Sequence, residues 1–239
     1  MYHPTVARLT YRALLGRKRA LIMFALPALL LVIAILVRAL VGADDEVANS
    51  ILGGFAVATM VPLIGVIAGT GAIGPEIDDS SIVYLLAKPV PRHTIILTKL
   101  VVAIGVTMAF SAIPTLLAGY ILNANSQQLA VAYALSAAIA SVAYAALFLF
   151  LGTITKHAVL IGLIYALIWE SLFGSLVEGA RTLSIQQWAL AIGERLGEGG
   201  YLLSDVALPT AIVLLVVVTA AATWSAGQRL RSLTLAGED

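Results

Sequence analysis

The chain has 239 residues, 61% hydrophobic and 11% charged, with a mean hydropathy of +1.01 and a formal net charge of +1. A soluble domain carries about 25% charged residues, so a water-facing surface of this size would be short of charge and the apolar excess points to a bilayer as solvent. There is no cysteine, which excludes disulfides, thiolate metal sites and cysteine nucleophiles.

Residues 3–20 come first. Val6, Leu9, Ala13 and Leu14 recur at helical spacing while Arg8, Arg12 and Arg19 take other faces. That is the pattern of a basic amphipathic helix lying in the membrane interface. An apolar run over about 21–41 follows, and about 20 such residues suffice to cross the hydrocarbon core. A cleaved leader is not expected there, because the run exceeds the roughly 7–15 residues of a signal core.

The second span is expected over about 51–73 and ends in GTGAIG. Gly69, Gly71 and Gly74 have the G-x-G-x-x-G spacing of a dinucleotide-binding turn. That turn needs a strand before it and an acidic residue about 20 positions after it, and this chain offers neither. Gly65 and Gly69 read instead as a GxxxG-type face for close helix approach. Gly74 is expected to end the span and Pro75 to start a new helix.

That new helix is placed at 75–88. Pro75, Glu76, Asp78 and Asp79 suit a first turn, where negative charge meets the positive end of the helix dipole. Ile82, Leu85 and Leu86 make an apolar patch with Val83 and Tyr84 beside it, and Pro89 stops the helix. Arg92 and Lys99 are expected to hold the next span at the anionic inner leaflet.

Four further spans are expected over about 94–122, 129–152, 158–176 and 206–227, making six. Pro27, Pro62 and Pro114 lie within spans, where neighbours can satisfy the freed carbonyls. Thr107, Ser111, Ser136 and Ser141 read as interhelical hydrogen-bonding groups. Trp169-Glu170 sits inside the fifth span, where a carboxylate costs about 2.5–3.5 kcal/mol and faces a partner or a cavity. Two readings stay open for Glu170: a substrate, proton or gate contact, and a buried structural hydrogen bond. Before the last span, Ser184 and Gln187 have capping-box spacing. Ile185, Trp188, Ala189, Ile192 and Leu196 trace one face of an outer amphipathic helix over 184–196, ended by Gly197, Gly199 and Gly200.

Orientation follows from the basic flanks. With the N-terminus inside, only Arg38, Arg181 and Arg195 among the basic residues fall outside, together with the acidic run Asp44-Asp45-Glu46. Both termini are then cytoplasmic. There is no G-x-x-x-x-G-K-[ST] and no H-E-x-x-H, and His3, His93 and His157 are far apart in sequence. No catalytic constellation, metal site or nucleic-acid partner is expected.

The string E-I-x-x-x-x-I-x-x-L-L-x-x-P-V-x-R-x-x-I-x-x-x-K, carried by Glu76, Ile77, Ile82, Leu85, Leu86, Pro89, Val90, Arg92, Ile95 and Lys99, resembles the intracellular segment of ABC-2 type permeases. Ser80-Ser81 stands where that family usually has Gly-Thr. Six spans, an N-terminal interfacial helix and an outer amphipathic helix are also similar to the family, as is the Trp169-Glu170 pair to some of its members.

The resemblance implies an all-α integral membrane permease of a bacterial ABC exporter, in the cell (inner) membrane. It implies a dimer, with a second copy or a homologous permease, and two separate ATPase subunits that bind the ATP and Mg; this chain binds no cofactor. The ATPase-coupling residues it implies are Glu76, Asp78, Asp79, Ile82, Tyr84, Leu85, Leu86, Lys88, Pro89 and Arg92. The alternative is an ATP-independent secondary transporter or channel, which predicts an internal repeat. None is evident between 21–122 and 129–227. A membrane-embedded enzyme is the third reading, and no motif supports it.

Overall fold

The computed structural model describes residues 3–79, 91–122, 127–173, 181–195, 202, 204 and 206–232, with the backbone alone at 17–19, 78, 127, 171–173 and 232. All regular structure among them is helical. The elements are α1 (Pro4–Leu14), α2 (Arg17–Leu40), α3 (Asp45–Ser50), the π-helix π1 (Ile51–Met60) and α4 (Val61–Asp78). They continue with α5 (Arg92–Leu122), α6 (Gln127–Ile154), α7 (Ala158–Ile164), the π-helix π2 (Tyr165–Phe173), α8 (Ile185–Glu194) and α9 (Leu208–Ser232).

Five segments are long and apolar enough to cross a bilayer: most of α2, the continuous run Asp45–Ile77, α5, α6 and most of α9. Within the predicted fifth span, the described residues include an apolar helix over Ala158–Glu170. At 31 residues α5 is about 46 Å long. That exceeds the roughly 30 Å hydrocarbon core, so α5 projects beyond it.

α6 is the centre of the bundle, with α4, α5, α8 and α9 all packed against it. Its buried face is largely alanine, including Ala130, Ala137, Ala140, Ala143 and Ala146. Small residues allow the close backbone approach that membrane helices rely on. On α4 the complementary feature is Gly65 and Gly69. A Cβ on Gly65 would lie 2.8 Å from Tyr144 Cβ, and one on Gly69 would lie 2.7 Å from Phe148 Cβ and 2.9 Å from the Leu149 nitrogen. The two glycines thus form the close-packing face read from their spacing. α2 and α9 are peripheral, each with less than a quarter of its span buried.

Several boundaries differ from the sequence reading. The helix expected over 3–20 breaks at Leu15-Gly16, with Gly16 as the N-cap of α2, so residues 17–19 belong to the helix that carries the first span. The second span is one helix from Asp45 to Asp78. It does not end at Gly74, and Pro75 lies inside it. A proline removes only the one hydrogen bond its own nitrogen would have donated, and the next turn closes normally, with Asp79 N bonded to Pro75 O at 3.0 Å. Asp44, read only as surface charge, caps α3, its carboxylate accepting from Glu46 N and Val47 N. Gly42 turns the chain into that cap with φ +90°, a conformation that favours glycine.

The helix before the last span does not rest on a surface. α8 is buried on most of its circumference, at Ile185, Gln186, Trp188, Ala189, Leu190, Ala191 and Gly193. It lies between α6 and α9, and a Cβ on Gly193 would collide with Ser136 Oγ. Of the four small polar residues expected to bridge helices, Ser111 and Ser141 do so, with hydroxyls 2.8 Å apart. Thr107 and Ser136 bond back to carbonyls of their own helices.

Candidate functional site

One end of the bundle gathers α1, the end of α4, the start of α5 and the end of α9, and with them Arg8, Arg12, Arg92, Arg229 and Arg231. At its centre is Lys99. The side chain is fully buried and Nζ lies 2.7 Å from Glu76 Oε1, while the glutamate remains 26% exposed. Nζ also donates to the Ala72 carbonyl at 2.6 Å and to Thr10 Oγ1 at 3.5 Å. One ammonium therefore ties α5 to α4 and to α1.

Each local feature has a cause. Pro75 crowds the carbonyl four residues before it, at Gly71, and Ala72 is the next residue. Its carbonyl faces the lysine. Glu76 lies in the last turn of α4 and Asp79 is its C-cap, where carboxylates meet the negative end of the helix dipole. They are not in a first turn, as the sequence suggested, and a cation is what such a helix end requires. Lys99 supplies it, although the sequence placed this lysine at the leaflet surface. Burying an ammonium without a partner costs several kcal/mol, so this geometry depends on Glu76 being present.

α1 packs into the crook between α4 and α5. Its buried stripe is Val6, Ala7, Thr10 and Leu14, while Leu9 and Tyr11 are half-exposed. The face is therefore rotated from the one drawn through Leu9 and Ala13. Thr10 bonds back to Val6 O at 2.9 Å, which hides the hydroxyl within the helix. His3 N donates to Thr98 Oγ1 at 3.2 Å, fixing the start of α1 to the turn of α5 that carries Lys99.

Of the remaining residues assigned to this segment, Arg92 donates from Nη1 to Arg231 O at 3.0 Å, joining α5 to α9. Asp79 is exposed at the end of α4, and Asp78 is described by its backbone alone. Ile82, Tyr84, Leu85, Leu86, Lys88 and Pro89 lie outside the described residues. So does the 75–88 helix beyond Asp79.

A second polar cluster lies at the opposite end. Glu170 is fully buried and accepts from Tyr165 Oη at 2.9 Å, Ser184 Oγ at 2.5 Å and Ile185 N at 3.1 Å. Residues five apart sit about 140° apart on an α-helix. The i→i+5 hydrogen bonding of π2 is what brings Tyr165 and Glu170 together. Only half of the expected capping box forms: Ser184 Oγ accepts from Gln187 N, Ser184 N donates to the Arg181 carbonyl, and Glu170 caps Ile185 N. Glu170 is therefore a clasp between π2 and α8. Trp169, beside it, is half-buried.

A family model described as ABC-2 family transporter protein matches residues 17–180, more than half of the 239 residues. Among curated proteins no sequence matches the chain. The chain belongs to the ABC-2 transporter family, as a multi-pass membrane permease component.

Proposed function

We propose, from that membership, that the chain is the permease subunit of an ATP-driven exporter powered by two separate ATPase subunits. In this reading the arginine-rich end faces the cytoplasm, the permease works as a dimer, and the membrane is a bacterial inner membrane. Segment 75–88 docks on the ATPase through Ile82, Tyr84, Leu85 and Leu86, with Lys88, Pro89 and Arg92 fixing its return to α5. ATP and Mg stay with the ATPase.

The observation that carries this reading is the buried Lys99 ammonium shared by Glu76, the Ala72 carbonyl and Thr10. α4 ends at Asp78, two residues after Glu76, and the next helix begins at Arg92, so a force applied to 80–90 reaches the Glu76–Lys99 contact first. Their contact passes it to α5 and α1 together. Glu170, already engaged by three donors, serves structure rather than substrate.

The test is purification of the tagged chain in mild detergent from cells that express its native neighbours. An ABC ATPase should co-purify and hydrolyse ATP. Its absence, combined with ion-gradient-driven uptake by the chain alone in vesicles, would replace this reading with a secondary transporter.

A further inference from the structure

A groove of about 730 Å³ runs along the outside of the bundle between α5 and α9, with α6 as its floor. That volume falls within the roughly 300–1,000 Å³ of ligand sites. The floor and walls are apolar, formed by Ile96, Leu100, Ile139, Val142 and Leu215 among others. Thr223, on one wall, turns its hydroxyl to the Thr219 carbonyl at 2.7 Å. Polar character is concentrated at one end, where His93 and Arg231 line the groove. There the Arg231 guanidinium meets the His93 ring at 2.7 Å, and Arg92 Nη1 holds the Arg231 carbonyl. Trp224, 69% exposed, stands in the groove two turns short of Arg231.

We propose that this groove binds one anionic phospholipid, its acyl chain between α5 and α9 and its phosphate at Arg231 and Arg92. Dimensions and charge both favour that occupant. From Leu215 to Arg231 the helix rises about 24 Å. One leaflet of hydrocarbon is about 15 Å thick, so the groove spans a leaflet and its headgroup zone. Basic pockets between membrane helices are the sites where anionic headgroups settle, and a tryptophan near one end matches the interfacial level. A second copy of the chain fits poorly. A two-fold axis along the membrane normal would bring the Arg92 and Arg231 of both copies to the same depth, like charge facing like. The site does not depend on whether the protein exports or on its ATPase.

The test is native mass spectrometry of the delipidated protein with added dioleoyl phosphatidylglycerol or dioleoyl phosphatidylcholine. One phosphatidylglycerol per chain should be retained in preference to phosphatidylcholine. An Arg92→Gln, Arg231→Gln variant should lower that retention about 25-fold, two surface cations each being worth roughly fivefold. Ala220→Trp, which fills the groove and leaves the charges in place, should remove the adduct as well. Equal retention of the two lipids would overturn the proposal, as would a phosphatidylglycerol adduct that survives Ala220→Trp. So would an Ala220→Cys variant that crosslinks to a second copy in native membranes.

Discussion

Lys99 Nζ lies 2.7 Å from Glu76 Oε1, with the lysine fully buried and the glutamate about a quarter exposed. The two partners are therefore not equivalent. Removing the carboxylate strands a buried cation, whereas removing the lysine leaves a carboxylate that water already reaches. Glu76→Ala should lower stability by on the order of 3 kcal/mol, and Lys99→Met by clearly less. Thermal melts of the detergent-solubilised variants, followed by size-exclusion fluorescence, read the order directly. Equal losses would mean that the burial difference has no energetic weight.

The same site predicts a failed rescue. An exchange of charges, Glu76→Lys with Lys99→Glu, keeps the ion pair in name. It also sets a carboxylate against the Ala72 carbonyl, which now accepts from Lys99 Nζ at 2.6 Å. The double variant should melt no higher than Glu76→Ala. Recovery toward the native melting temperature would show that pair charge alone matters and that the carbonyl contact is incidental.

Glu170 and Ser184 should behave as one unit. Glu170→Ala leaves three donors without their acceptor, and each stranded donor costs about 1–3 kcal/mol. Ser184→Ala removes an N-cap worth about 1 kcal/mol. Groups in one hydrogen-bond network do not add, so the double variant should lose less than the sum of the two singles. Strict additivity in a double-mutant cycle would contradict the clasp between π2 and α8.

Close packing separates the glycines. Gly69→Ala places a methyl against Phe148 and the Leu149 backbone, with a cost of about 1–3 kcal/mol. Gly105, also within a long helix, has nothing within 4 Å of its would-be Cβ. Gly105→Ala should be neutral or slightly stabilising. Equal destabilisation at both positions would point to backbone flexibility rather than packing.

The spans were legible because twenty apolar residues in a row have one physical use, and Gly65 and Gly69 because their spacing repeats along one helix face. What stayed hidden was non-local. Glu76 and Lys99 lie on different helices, and nothing in either local pattern pairs them, although both belong to the string that carries the family resemblance. Thr10 was invisible to a reading that sorts helix faces by hydropathy, since a threonine bonded to its own helix can be buried like an apolar residue. The π segment at 51–60 carries only Thr59 among apolar residues and glycines, so periodicity has little contrast with which to distinguish it from α-helix. The cost of placing Glu170 within a span is legible in the sequence, but its structural use depends on Ser184 and Ile185 folding back against it.

The central claim is that residues 75–88 connect an ATPase to the Lys99–Glu76 contact. It is tested most directly by comparing the ATPase retained by the native chain, by a Leu85→Glu, Leu86→Glu variant and by Lys99→Met, at matched membrane expression. The account predicts that the native chain and Lys99→Met retain the ATPase and that the leucine variant loses it. Equal retention by all three would place the docking surface elsewhere and contradict the account.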